Sequence, residues 1–130
     1  MSVSNLVGST IQSVTGLEKD SERLIIVTDK GTLSLFHGKI CCEEVCIVDF
    51  NGDVSDLVDG YVSVADRRTN INDAGESYFR TQYTFYTIRT SKGDVDIRWL
   101  GRDNGYYSVS VCEEWAHPSE EEEDNYWGDE

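Results

Sequence analysis

The sequence predicts a mainly β, α+β-type fold: a single domain built on an antiparallel sheet of hairpins, with one or two short helices. Three observations predict it. β-branched and aromatic residues gather in short runs separated by turn-forming clusters. Gly is frequent, at 11, and Pro nearly absent, at 1, which suits tight turns and argues against Pro-rich disorder. The runs near the end of the domain alternate apolar and polar residues, the period of a strand with one covered face.

Taken in order, residues 10–14 (TIQSV) read as a first strand, and Gly16 with the charged EKDSE run turns the chain. Residues 23–28 (RLIIVT), the turn Asp29-Lys30-Gly31 and residues 32–37 (TLSLFH) complete a three-strand meander. Residues 44–50 (EVCIVDF) form the next strand. Asp53 then caps a short helix over 54–58, which Gly60 ends. Residues 61–66 resume a strand, and the polar stretch 67–77 reads as a loop. The strongest signal is YFRTQYTFYTIRT, turned by Ser91-Lys92-Gly93 into DVDIRWL, and turned again by Asn104-Gly105 into YYSVSVC. In DVDIRWL, Val95, Ile97 and Trp99 share one face; Asp96 and Arg98 share the other. The ordered domain is expected over residues 1–115, with a disordered acidic tail over 116–130.

A chain of 130 residues can bury one core without disulfides or a structural metal. Its formal charge is −14, unevenly spread. Residues 113–130 hold nine of the 25 acids and no Lys or Arg, which leaves 16 acids against 11 bases, or −5, in residues 1–112. Such a chain is repelled by duplex DNA, RNA polymers and anionic membranes. The first 20 residues lack the charged start and apolar run of a signal peptide, and no apolar stretch approaches a membrane span. The expectation is a cytosolic protein with Cys41, Cys42, Cys46 and Cys112 as reduced thiols.

Most chemical constellations are weak. His37, Cys41, Cys42 and Cys46 lack the paired spacing of a zinc site. Asp49–Gly60 resembles a calcium loop only at its start, since Val54 and Gly60 occupy the sixth and twelfth positions. No nucleophile elbow or phosphate loop is present, and His37 with Cys41 or Cys42 is not placed on one face by any regular period. The chain is therefore expected to be a binding protein, not an enzyme, with no cofactor and no metal. More informative is arginine with aromatics. Six of seven arginines (Arg67, Arg68, Arg80, Arg89, Arg98, Arg102) fall between residues 67 and 102. Phe79, Tyr83, Phe85, Tyr86 and Trp99 are interleaved, and Tyr106 and Tyr107 follow. Guanidinium forks suit phosphates and aromatic faces suit purines. Packing in the core, with arginines paired to surface acids, is the alternative, and pattern alone favours it.

The stretches HGKICCEEVCIVDFNGDVSDLVDG and YTFYTIRTSKGDVDIRWLGRDNGYYSVSV carry a combined pattern: CCE-x-V, GD-x-x-DL-x-G, TFY before a KG turn, IRW and NGYYS. Over about residues 8–112 this resembles the first-described type of phage Thoeris anti-defence protein. The GKI before Cys41 is less polar than that pattern, and the acidic tail is additional to it. The resemblance implies a sponge that sequesters glycocyclic ADP-ribose intact in the host bacterial cytoplasm. It also implies cyclic trinucleotides as ligands at separate pockets, and assembly as a homodimer or as a hexamer made of three dimers. On it, Phe85, Trp99 or Tyr106 would stack on adenine; Arg67, Arg68, Arg98 or Arg102 would grip the pyrophosphate; Asn104 would bond a ribose hydroxyl. Arg23, Arg89, Thr90 and Ser91 would form a second anion site near another subunit interface. Two rivals stand beside it: an acidic protein-binding inhibitor that mimics nucleic acid, and an enzyme that degrades a cyclic nucleotide.

Overall fold

The computed structural model describes residues 3–37, 44–72, 80–103 and 111–117. It is mainly β, with two four-stranded antiparallel sheets. The strands are β1 (Ile11–Thr15), β2 (Arg23–Thr28), β3 (Gly31–Phe36), β4 (Glu44–Asn51), β5 (Val62–Asn72), β6 (Arg80–Thr90), β7 (Asp94–Asp103) and β8 (Cys112–Ala116). The first sheet has the order β1-β2-β3-β8 and the second β4-β7-β6-β5.

Alternation builds the core. Leu24 and Ile26 of β2 and Leu33 and Leu35 of β3 are buried on one side. Val45, Ile47, Tyr86, Ile88, Val95, Ile97 and Trp99 are buried on the second sheet, and all of these belong to one hydrophobic cluster. Residues between them on each strand face outward, as a period of two requires. A 3-10 turn at Val3–Leu6 adds Val3 and Leu6 to the same cluster. Backbone bonds tie the sheets at their margins, Asp20 and Ser21 to Ile47 and Ser9 to Val62.

Two hairpins share one device. In Thr28-Asp29-Lys30-Gly31 and in Thr90-Ser91-Lys92-Gly93, the threonine hydroxyl accepts from the amides of the lysine and the glycine, at 3.0–3.2 Å. The hydroxyl thus satisfies turn donors that the strand ladder cannot reach. The helix expected over 54–58 is a shorter 3-10 helix, Val54–Asp56. Asp53 caps it as expected, and the Asp56 carboxylate accepts from the Asp53 amide at 3.0 Å, closing a capping box. Gly60 does not supply the left-handed residue; Asp59 does, at φ 69°. Glycine is needed at 60 for space, since a Cβ there would lie 2.5 Å from the Thr90 hydroxyl.

Two expectations are corrected. The loop expected over 67–77 is strand as far as Asn72, because β6 offers partners down to Asn72↔Thr81. Arg68, Thr69 and Asn70 are exposed there, and pairing across the sheet outweighs their local preference. Cys112, expected as the end of a strand, opens a further strand, β8, which joins β3 in the first sheet. Ala116, assigned to the tail, is part of β8. The Asn104-Gly105 turn, residues 106–110 of the strand expected over 106–112, and residues 118–130 lie outside the described residues.

Gly31 lies under Trp115. A Cβ at this position would meet the indole ring at 2.5 and 2.6 Å and the Ala116 carbonyl at 2.8 Å. Gly31→Ala should lower stability by about 1–3 kcal/mol, the usual cost of overpacking, with a fall in the urea midpoint. An unchanged midpoint would show that β8 is not packed against this hairpin.

Candidate functional site

The outer face of the second sheet carries the most suggestive arrangement. Asp49, Arg98, Phe85 and Arg68 form one cross-strand row over β4, β7, β6 and β5, each directly opposite the next. Phe85 therefore has an arginine on either side. The Arg68 guanidinium lies 5.7 Å from the centre of the Phe85 ring. Arg98 lies 5.4 Å from the Tyr83 ring, and Tyr83 stacks on Phe85 with centroids 6.2 Å apart. These are cation–π distances, so rings and guanidiniums hold one another in place. Beside the row is an open depression of about 340 Å³, lined also by Asn51, Thr87 and Asp96. Its rim can offer an aromatic face, guanidinium donors and carboxylate and amide acceptors to one ligand.

The expected site residues divide four ways. Phe85, Arg98 and Arg68 come together on this face. Trp99 does not join them: it follows Arg98, so alternation sends it inward, where it is 0% exposed. A ligand on the outer face cannot stack on it. Arg67 is likewise turned inward, next to Arg68 but on the other side of β5. Its guanidinium pairs with Glu113 of β8 and donates to the Tyr86 hydroxyl at 3.2 Å and the Val111 carbonyl at 3.0 Å. Asn104 and Tyr106 lie outside the described residues, as do Cys41 and Cys42.

Arg102 falls in a different and larger depression of about 540 Å³, which it lines with Arg23, Phe36, Glu44 and others. Here Asp20, Glu22 and Glu44 outnumber the two arginines. Arg102 donates to Glu44 at 3.1 Å, and Arg23 covers the Phe36 ring at 4.4 Å. With three acids to two arginines, against two and two beside Phe85, the larger volume is the poorer anion site. Cys46 also lines it. Burial, then the charges of Asp20, Glu44 and Glu22, push its thiol up, so it stays protonated at neutral pH.

Within one chain, the residues expected at the second anion site make separate contacts. Thr90 and Ser91 belong to the β6–β7 turn. The Thr90 hydroxyl donates to the Asp56 carbonyl at 2.7 Å, and the Ser91 hydroxyl accepts from the Tyr61 amide at 3.1 Å. Arg89 pairs with Asp94 at 3.8 Å, while Arg23 lines the larger depression.

Residues the sequence reading did not select now enter the site: Asp49, Asn51, Tyr83, Thr87 and Asp96. Period-two alternation from Phe85 and Arg98 was enough to find Tyr83, Thr87 and Asp96. Asp49 was hidden, because a bulge in β4 shifts its register.

Under the site lies the inner polar group of Arg67, Tyr86 and Glu113. The side chains of Arg67 and Glu113 are 16% and 6% exposed, and Glu113 also accepts from the Val3 amide at 2.9 Å. The pair joins the two sheets. Glu113→Ala should cost about 3–5 kcal/mol, because it strands a buried cation, whereas Asp94→Ala at the exposed Arg89 pair should cost under about 1 kcal/mol. Urea unfolding separates the two. Burial first, and then the Glu113 carboxylate, raise the affinity of Tyr86 for its proton. Above about pH 10 an unfolded chain loses that proton while the folded chain keeps it. The folded state then binds more protons, and stability falls as pH rises. Tyr86→Phe should flatten this decline when unfolding midpoints at about pH 8 and pH 11 are compared; an equal decline in both proteins would assign it elsewhere.

Among the described residues no helix is long and apolar enough to cross a membrane. No curated protein and no solved structure matches the chain. A family model, described as a domain of unknown function (DUF7448), matches residues 4–113, which takes in every described strand but the end of β8. The chain belongs to the DUF7448 family.

Proposed function

We propose that the protein is a nucleotide sponge, a phage-encoded anti-defence protein that binds glycocyclic ADP-ribose and holds it intact. The signal is then unavailable to the Thoeris effector. The observation that carries this reading is the row of Arg68, Phe85 and Arg98 beside a depression. Phe85 stacks on the adenine, and the two guanidiniums hold the pyrophosphate. Thr87, Asn51 and Asp96 offer acceptors to ribose hydroxyls and to the base amine. The sequence pattern shared with Thoeris anti-defence proteins names the ligand. A cyclic diphosphate is compact and already restrained, so little freedom is lost on binding.

The work of the protein is equilibrium binding in the host bacterial cytoplasm, where the signal is made. No bond is broken and no cofactor takes part. Cyclic trinucleotides at separate pockets, and assembly as a homodimer or three dimers, belong to the same proposal. Long nucleic acids are excluded by a chain of net charge −14, which repels them at a distance while a local pair of arginines accepts a small anion.

Calorimetric titration with glycocyclic ADP-ribose tests the reading, followed by heat denaturation and chromatography of the released ligand. Saturable binding with the ligand recovered unchanged is expected. Phe85→Ala should weaken binding by about tenfold or more, the usual loss for one stacked base. An altered product would make the protein an enzyme. Absence of heat would remove the sponge and turn attention to a protein target of the acidic surface.

A further inference from the structure

The bulge in β4 points beyond simple phosphate binding. Ile47 lies opposite Trp99, and the next pair is Asp49 opposite Arg98, so Val48 has no partner on β7. A regular ladder would have set Val48 against Arg98. One extra residue sets a carboxylate there instead, and bulges re-aim side chains in this way. The Asp49 carboxylate then engages Arg98 with both oxygens. Nε donates to Oδ1 at 3.1 Å, and Nη2 donates to Oδ2. Two residues before Arg98 on β7, Asp96 adds a second carboxylate to the lining and accepts from the Thr87 hydroxyl at 2.9 Å. Two arginines face two aspartates, and the lining has no formal charge.

A site shaped only to attract anions gains nothing from an acid held against its arginine. We propose that Asp49 is a specificity-determining residue that sets the charge limit of the site, admitting phosphodiesters and rejecting terminal phosphates. The inference rests on the nucleotide reading above. A doubly esterified phosphate carries one negative charge, while a terminal phosphate carries nearly two at neutral pH. Both meet the donors that Asp49 leaves open on Arg98, since a guanidinium has five and the aspartate takes two. Both are repelled by Asp49, the terminal phosphate more strongly. Selection between them is a difference in repulsion. Asp49 also fixes the plane of the Arg98 fork, so the open donors are aimed before the ligand arrives.

The test compares glycocyclic ADP-ribose, whose two phosphates are both esterified through its ring, with ADP, an adenine diphosphate that ends in a terminal phosphate; the change in preference between wild type and variant isolates the part that depends on Asp49. Affinities are measured by calorimetry at one salt concentration for the full chain, Asp49→Asn and Asp94→Asn. The last removes an aspartate that pairs with Arg89 away from the depression. The wild type should prefer the cyclic diester. Asp49→Asn should narrow that preference roughly tenfold, the effect of about one unit of charge ~8 Å away at an effective dielectric between those of a protein surface and water, mostly through tighter ADP binding. Asp94→Asn should leave it unchanged. A preference unaltered by Asp49→Asn, or a wild type that prefers ADP, overturns the charge-limit role and leaves the sponge standing. Failure of all three proteins to bind either nucleotide overturns both.

Discussion

A β-strand cannot turn two neighbouring side chains to the same face, and β6 and β7 exploit this at almost every position. Tyr86 and Ile88 go inward with Ile97 and Trp99, and they form the centre of the core. Phe85, Thr87, Asp96 and Arg98 are thereby placed outward. Core and candidate site are two sides of one pair of strands. The register that buries Trp99 also sets Arg98 opposite Phe85. A slip of one residue would expose the tryptophan and bury the arginine, so the hydrophobic core enforces the geometry of the outer face.

The same strictness explains the two arginines at the centre of β5. Arg67 and Arg68 are adjacent in sequence and chemically identical, yet their work is opposite. Arg67 turns inward and is neutralised by Glu113, which ties β8 to the second sheet beneath the site. Arg68 turns outward and rests on Phe85. Burying the first pair is tolerable because Tyr86, Val111 and the Val3 amide supply further hydrogen bonds to the two charged groups. The outer arginine keeps its charge near solvent, where a small anion can reach it. In this way a chain of net charge −14 presents local cations on one face.

Much of this was legible in the sequence. The meander of β1 to β3, the β6–β7 hairpin and the inward set of Val95, Ile97 and Trp99 follow from alternation and turn residues alone. The inward place of Trp99 was legible too: the rule that put it on the apolar face keeps it from a ligand on the polar one. Other features depend on distant partners. Nothing local marks residues 67–72 as strand, because their pairing is supplied by β6. Glu113 and Glu114 fell beyond the last expected strand, and their pairing with β3, with Arg67 held against Glu113, is what makes them part of one. The bulge at Val48 has no signature in composition, so Asp49 could not be assigned to Arg98 from spacing. The repeated Thr-x-Lys-Gly turn, by contrast, was visible and marks both hairpins.

The most direct measurement is nuclear magnetic resonance of the protein labelled at its arginine side chains and backbone amides, titrated with glycocyclic ADP-ribose. Shifts concentrated at Arg68, Arg98, Phe85, Thr87 and Asp96, with Arg67 and Trp99 responding only weakly from the inner face, are expected of a ligand held on the outer row. Shifts centred instead on Arg23 and Arg102, or spread along the acidic residues with the outer row silent, would contradict the assignment of the site.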